Sequence, residues 1–581
     1  MRLLKNIFVF LLLSQLLGSC KEEILNLKSL TAPDNATFFS NEQELQLALT
    51  GVYRSILILD GGYGLPIGIS FDNGMTDIGI SRTASTLEDV ATGIQSSSTA
   101  AVQAWYSTFY KGITQANNLL VNMDKVNSKI NETVFNQIKA QALFIRAYHY
   151  HNLIELYGDV PYIDFVATSP EEALLPRMQK QLIVVKLLAD LQIAADALPN
   201  KWADAEKGRV TKGSALALRA RIALYNKNYT EAAASAKAVM DIASSAGYNL
   251  DPNYGQLFQD AGLSSPEIML CFRLKDGFLT NLMPRAQGSR NCNGSTVNAP
   301  TQSLIDSYEA VDGLPIDKSL VYSPKKPFEN RDPRLKASII TPGSQWAGII
   351  FQSHPDSLKV RFINGTIKGA NSDSRIVSWP GAFCGYVWKK YTSESAQVLN
   401  QMWSELPFII IRYAEPLLVY AEAKIELNQI DATVLNAINQ VRARAYGVSV
   451  TNTAKYPAIT TTDQSQLRIV IRRERLVEFA NEGFRLFDIR RYKIAEKVMP
   501  VKVYGQILNP QAATKIPKID NDGFVSYAGI ESQYDLNTDA RFPNAQNRKF
   551  QSPRDYLLPI PQREIDTYKG YGVVLTQNPG Y

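Results

Sequence analysis

The sequence predicts a mostly α protein, with tetratricopeptide-like helical hairpins packed against an irregular, loop-rich insertion that carries short strands. Three observations predict it. Apolar residues recur every three or four positions over long stretches at both ends of the chain, which is the helical period. Two helix pairs rich in small residues, Thr211–Ile242 and Tyr413–Tyr446, match in helix length and turn length. Between them, residues 262–404 change in character, with Gly, Pro, Ser and Asn every few positions.

The elements follow in order. Residues 1–19 combine a basic start (Arg2, Lys5) with an apolar run from Ile7 to Leu17, the pattern of a secretory signal peptide. The run has 11 residues, too few to cross a hydrocarbon core of about 30 Å as a helix. It ends in Leu17-Gly18-Ser19-Cys20, which resembles the lipobox of bacterial lipoproteins, where the cysteine becomes the lipidated first residue. Two or more acyl chains (palmitate-type) make such an anchor stable. Lys21-Glu22-Glu23 resembles the signal that sends such lipoproteins of Bacteroidetes to the outer face of the outer membrane. Residues 20–40 then serve as a tether.

Residues 41–261 form the first part of the helical region. Leu45, Leu47, Ala48, Val52, Ile56 and Leu59 mark one apolar side of a helix over Asn41–Leu59. A polar stretch over Ser81–Ser98 reads as a long loop or frayed helix. Ala101, Trp105, Phe109, Ile113, Ala116 and Leu120 mark the next helix. Further helices run over Val134–Tyr157, stopped by Gly158 and Pro161, and over Lys180–Leu198, stopped by Pro199. The pair Thr211–Asn226 and Thr230–Ile242 is lined with alanines, so its helices can approach closely as antiparallel neighbours. The insertion, 262–404, shows β-like runs at Glu267–Phe272, Ala337–Ile340 and Ile349–Phe351. The second helical part, 405–492, repeats the alanine-lined pair over Tyr413–Leu427 and Asp431–Tyr446, then adds a charged helix over Leu467–Asn481. The two pairs have the size of tetratricopeptide units, but the insertion separates them, so the chain is no uninterrupted solenoid. Residues 493–581 are loop-rich and close on the core.

Composition excludes several classes. The 61 basic and 55 acidic residues give a net charge of +6, with no Lys/Arg block to track a phosphate backbone, so no nucleic-acid partner is expected. The four cysteines contain no CxxC pair, which removes a zinc ribbon. Cys271, Cys292 and Cys384 form either one disulfide with a free thiol or three thiols. No GxSxG, HExxH or phosphate loop occurs, and no cofactor is expected. His149 and His151, two apart on a helix, point to different sides and cannot share a metal. Asp520-Asn521-Asp522-Gly523 resembles half a calcium loop without its last ligand and reads as a turn. Glu474, Glu478 and Glu482, spaced by four among Arg468, Arg472, Arg475, Arg485, Arg490 and Arg491, read as a salt-bridged structural element rather than an active site.

Several stretches together resemble the SusD/RagB family of Bacteroidetes outer-membrane nutrient-binding lipoproteins. They are RAYHYHNLIELYGDVPY (Arg146–Tyr162), GRVTKGSALALRARIALY (Gly208–Tyr225), IRYAEPLLVYAEAKIELN (Ile411–Asn428), INQVRARA (Ile438–Ala445), RRERLVEFANEGFRLFDIRRY (Arg472–Tyr492), YLLPIPQREI (Tyr556–Ile565) and QNPGY (Gln577–Tyr581). The resemblance implies a lid-like lipoprotein on a SusC-like TonB-dependent β-barrel transporter. Such a protein captures an oligosaccharide, or in some members a peptide, and delivers it without a catalytic step. A glycan-cleaving lipoprotein and a helical protein scaffold are the alternatives. A sugar presents an apolar CH face that suits an aromatic ring. Trp346, Trp379, Phe383, Tyr386, Trp388 and Trp403, in or beside the insertion, are therefore the candidate binding residues. Asp72, Asn73 and Asp77, after Phe71 in a loop that the resemblance places near the ligand face, complete the set. Starch-binding members carry tryptophans near the loop that here spans Ser81–Ala100. It has no aromatic residue here, so a glycan other than starch is the expected cargo.

Overall fold

The computed structural model describes residues 38–59, 64–82, 86–536, 539 and 541–581. The signal peptide, Cys20 and most of the tether lie outside the described residues. The repeat helices form with side-chain caps at many of their starts. Helix α1 (Glu42–Arg54) is capped by Asn41, whose side chain accepts from the Glu44 N–H. Its apolar face buries Leu45, Leu49 and Val52, whereas Leu47, expected on that face, points to solvent. Helix α2 (Ile67–Gly74) replaces the expected loop after Phe71 and is buried along most of its length. An all-round buried helix has no polar face, so periodicity cannot reveal it. Next come α3 (Ala100–Asn122), α4 (Glu132–Tyr157), α5 (Lys180–Ala197), α6 (Lys212–Tyr225) and α7 (Tyr229–Ala246). Gly158 ends α4 at φ 74°, a left-handed conformation open to glycine at no steric cost. Among the described residues of the polar stretch after Ser81 there is only a short helix, Thr86–Ala91.

Helices α3 to α7 pack each on the next. The insertion breaks the chain at this point but not the stack, because α7 packs directly on α8 (Ala414–Glu426). The expectation of an interrupted solenoid therefore holds along the chain and fails in space. The alanines of α7 and α8 permit this close approach: Ala232, Ala236, Ala414, Ala421 and Ala423 are fully buried. Helix α8 also carries α9 (Ala432–Ala445), capped by Asp431, and α10 (Gln464–Glu478), capped by Asp463. A short α11 (Arg485–Arg491) follows.

The insertion is anchored at its base. Strand Ile268–Phe272, near its start, pairs antiparallel with Phe408–Arg412, just after its end, so the excursion leaves and rejoins the stack at one place. Gly79–Ser81 pairs with Asn298–Pro300, Ile339–Ile340 with Val387–Trp388, and a four-stranded antiparallel sheet spans 345–370. The C-terminal segment straps the stack: Leu558 N donates to Leu156 O at 2.7 Å, and Asn578 Nδ2 donates to Tyr157 O at 2.9 Å. One hydrophobic cluster joins residues from Phe39 to Leu575. No helix among the described residues is long and apolar enough to cross a membrane. Cys271, Cys292 and Cys384 are all free thiols.

Candidate functional site

Glu474, Glu478 and Glu482 are all buried. Their partners, however, come from elsewhere in the chain. Arg334 Nη1 contacts Glu474 at 2.6 Å and Glu478 at 3.0 Å. Arg412 reaches Glu478 at 2.6 Å, and Glu482 and Glu267 at 2.7 Å each. Arg442 bridges Glu474 and Glu309 at 2.7 Å each, Arg444 pairs with Glu267 and Glu478, and Lys390 pairs with Glu482 at 2.7 Å. Of the arginines the sequence placed around these glutamates, Arg475 instead pairs with Asp488 at 3.1 Å, and Arg485 with Asp77 at 2.7 Å. Burial pushes the Glu478 carboxyl up, but Arg444, Arg412 and Arg334 outweigh it and hold it well below the usual carboxylate range. Burial lowers Lys390 to about 8, against the pull of Glu482. Every one of these charges faces an opposite charge and is largely shut off from solvent. The network locks α9, α10 and the insertion together and has no room for a substrate.

Five of the nine candidate binding residues are likewise structural. Trp388 is fully buried and donates from Nε1 to Asn73 Oδ1 at 2.8 Å. Asn73, also buried, donates to Ile69 O at 2.8 Å and to Asn481 Oδ1 at 3.1 Å. Asp72 accepts from the Gly483 N–H at 2.8 Å, and burial raises its carboxyl to about 7. Tyr386 is buried with its hydroxyl donating to Gln302. Phe383 is buried and stacks on Phe542 at 5.0 Å. None of these five can meet a sugar ring, because no face of them reaches solvent. Asp77 is held by the bidentate pair with Arg485.

Three tryptophans remain. Trp403 is half-buried. Trp346 is buried at the wall of a cleft of about 550 Å³ and is covered by Lys389, whose Nζ lies 5.4 Å from the ring centroid. Phe328, Lys325, Lys326 and Lys336 also line this cleft. Trp379 differs from the rest: it is 47% exposed. The Arg541 guanidinium lies 4.0 Å from its ring centroid. Phe542 sits 5.2 Å away. Arg541 is held by two hydrogen bonds to Asp539, at 2.8 and 2.7 Å. Trp379 is thus half-exposed with a guanidinium lying over its ring, and that guanidinium is paired with a carboxylate, so an apolar ring sits next to hydrogen-bond donors and acceptors. Sequence reasoning missed Arg541 and Asp539, because they lie some 160 residues from Trp379 with no local motif.

His149 and His151 are buried core residues, and burial lowers His149 to about 3. The Asp520–Gly523 segment is the turn of the hairpin that pairs Lys518–Ile519 with Val525–Ser526. Its carboxylates face the Lys497 ammonium.

The architecture is that of a helical-repeat protein with a large anchored insertion that brings aromatic rings to the surface, Trp379 and Phe278 among them. The model of the SusD family matches residues 245–581. A second model, described as "Starch-binding associating with outer membrane", matches residues 61–224. The first match spans more than half of the chain, and the chain belongs to the SusD family. It is 24% identical over the whole of both chains to a SusD-like protein of Formosa agariphila. It is 26% identical to a second one from the same organism, over 84% of this chain and 90% of that one. Among solved structures, a SusD-like carbohydrate binding protein from Bacteroides fragilis superposes with a TM-score of 0.75 at 26% identity, over 91% of this chain and 99% of that one.

Proposed function

We propose that the protein is a lipid-anchored outer-membrane protein facing the cell exterior. It binds an oligosaccharide and delivers it, unaltered, to a SusC-like TonB-dependent transporter. The observation that carries the reading is Trp379, an exposed indole flanked by Arg541 and Asp539 on a chain of the SusD family. A pyranose CH face stacks on such a ring, while its hydroxyls bond the charged pair. Arg541 swings aside, exchanging its contact with the ring for one with the sugar. The Bacteroides fragilis relative, named as carbohydrate binding, supports the ligand class. The description of the second family model supports the outer membrane, and Cys20 supplies the anchor.

Retention in native gels cast with a panel of polysaccharides tests the binding. The parent is slowed by at least one glycan, and Trp379→Ala restores its free mobility. Unaltered mobility of the parent across the panel rejects the reading. Metabolic labelling with palmitate tests the anchor: label enters the parent and is absent from Cys20→Ala.

A further inference from the structure

A second cleft, of about 400 Å³, opens on the helical face between the end of α4, the start of α5, the α6–α7 turn, α11 and the C-terminal segment. It shares no lining residue with the Trp346 cleft. Its walls include Phe487 and Tyr556, and its cations include Lys180, Lys227, Arg490 and Lys493. Glu155 is its one carboxylate among the described residues. That carboxylate is already committed: it accepts from Lys180 Nζ at 2.8 Å and from Asn226 Nδ2 at 3.0 Å. The other arginines lining the cleft are also compensated, Arg491 by Glu422 and Asp488, and Arg554 by Asp555.

Arg490 is different. It is 7% exposed, its Nη1 is buried with no hydrogen-bond partner, and it forms no ion pair within the described residues. Burial lowers it to about 10, and Asp555 and Glu155 act on it only from a distance. A guanidinium does not shed its proton in a protein, so the charge stays. A buried charge with no counter-charge is costly and is ordinarily paired. Water can satisfy its N–H groups but cannot neutralise it. Lys493 adds to the excess. Its Nζ lies 3.9 Å from the Tyr556 ring centroid and forms no ion pair within the described residues. Burial lowers it, as do Lys227, Lys180 and Arg490, with Glu496 opposing. Lys227 is exposed at the rim.

We infer that this cleft is a binding site for a small oxyanion, a phosphate or carboxylate group on a compact body, held by Arg490, Lys493 and Lys227. The oxyanion supplies the direct ion-pair partner that Arg490 lacks, through charge-assisted hydrogen bonds. The cleft volume lies within the range of small-molecule sites, and its aromatic walls suit the remainder of the ligand.

Calorimetric titration of the full chain in detergent, at matched ionic strength, uses inorganic phosphate, D-glucuronate and D-glucose as separate probes. Saturable binding of phosphate, glucuronate or both is expected, with none for glucose. The phosphate and glucuronate arms separate a free ion from a sugar acid. Arg490→Met weakens that binding by at least roughly tenfold, the size of one lost charge-assisted hydrogen bond. In chloride alone the same variant melts no lower than the parent, because it removes an uncompensated charge. In the bound anion the order reverses. Lys227→Gln, at the exposed rim, keeps the fold and weakens binding a few-fold, so the test stands even where Arg490→Met folds poorly. No saturable binding of either oxyanion, or unchanged affinity in both variants, overturns the inference.

Discussion

Two arginine-rich regions meet along one stretch of chain, Arg472–Lys493, and they treat charge in opposite ways. In the seam around Glu478, Arg334, Arg412, Arg442 and Arg444 each face two carboxylates or more. Thirteen residues after Val477, Arg490 is also buried and pairs with none among the described residues. The difference teaches how to tell structural charge from functional charge. A closed, reciprocal network is cement, and its desolvation is offset only while every member is present. A buried cation without a counter-charge marks a place where something else belongs.

The largest effect comes from opening the network. Arg412→Met leaves Glu478, Glu482 and Glu267 short of a partner, and a loss of about 3–5 kcal/mol is expected for a broken buried pair. Urea unfolding measures it, and a loss below about 0.5 kcal/mol, the size of an ordinary surface change, breaks the comparison.

Acid sharpens it next. The folded state holds Glu478 far below its ordinary 4.5, so the unfolded chain binds this proton more readily. The stabilisation is complete above the unfolded value and is lost as pH falls through the folded one. Melting across a pH series therefore shows a steep decline on the acid side, and Glu478→Gln, already weakened at neutral pH, declines less. An equal slope in both proteins removes Glu478 from the account.

Arg490→Met reverses the sign. In oxyanion-free chloride it holds or raises the melting midpoint, where Arg412→Met lowers it. A drop of similar size in both variants erases the contrast.

The smallest stability effect belongs to Trp379→Ala. An exposed ring removed from the surface changes stability by about 0.5 kcal/mol or less while abolishing glycan retention. A large fall in midpoint instead assigns Trp379 to the core.

The sequence made the stack legible because its signals are local. The 3.6-residue period, the alanine-lined pairs and the capping residues Asn41, Asp431 and Asp463 all lie within a turn of what they control. The salt-bridged character of Glu474, Glu478 and Glu482 was legible too, but their partners were not. Arg334, Arg412, Arg442 and Arg444 reach them through tertiary contacts that leave no spacing to read. Nor was the direct packing of α7 on α8 legible, since the long insertion hides it in the sequence. The buried members of the binding set were illegible for a related reason. Aromatic residues in a loop-rich region look alike until burial is known. Trp388 bonded to Asn73 and Trp379 open to solvent differ only in what the rest of the chain places around them.

The central claim is that the protein grips a glycan without changing it. It is tested most directly by titrating the full chain with an oligosaccharide of a glycan retained in the gels, then analysing the recovered sugar by mass spectrometry. Saturable binding that Trp379→Ala abolishes is expected, with the oligosaccharide recovered at its original mass. Shorter fragments with new reducing ends, accumulating with time in proportion to protein, contradict the claim.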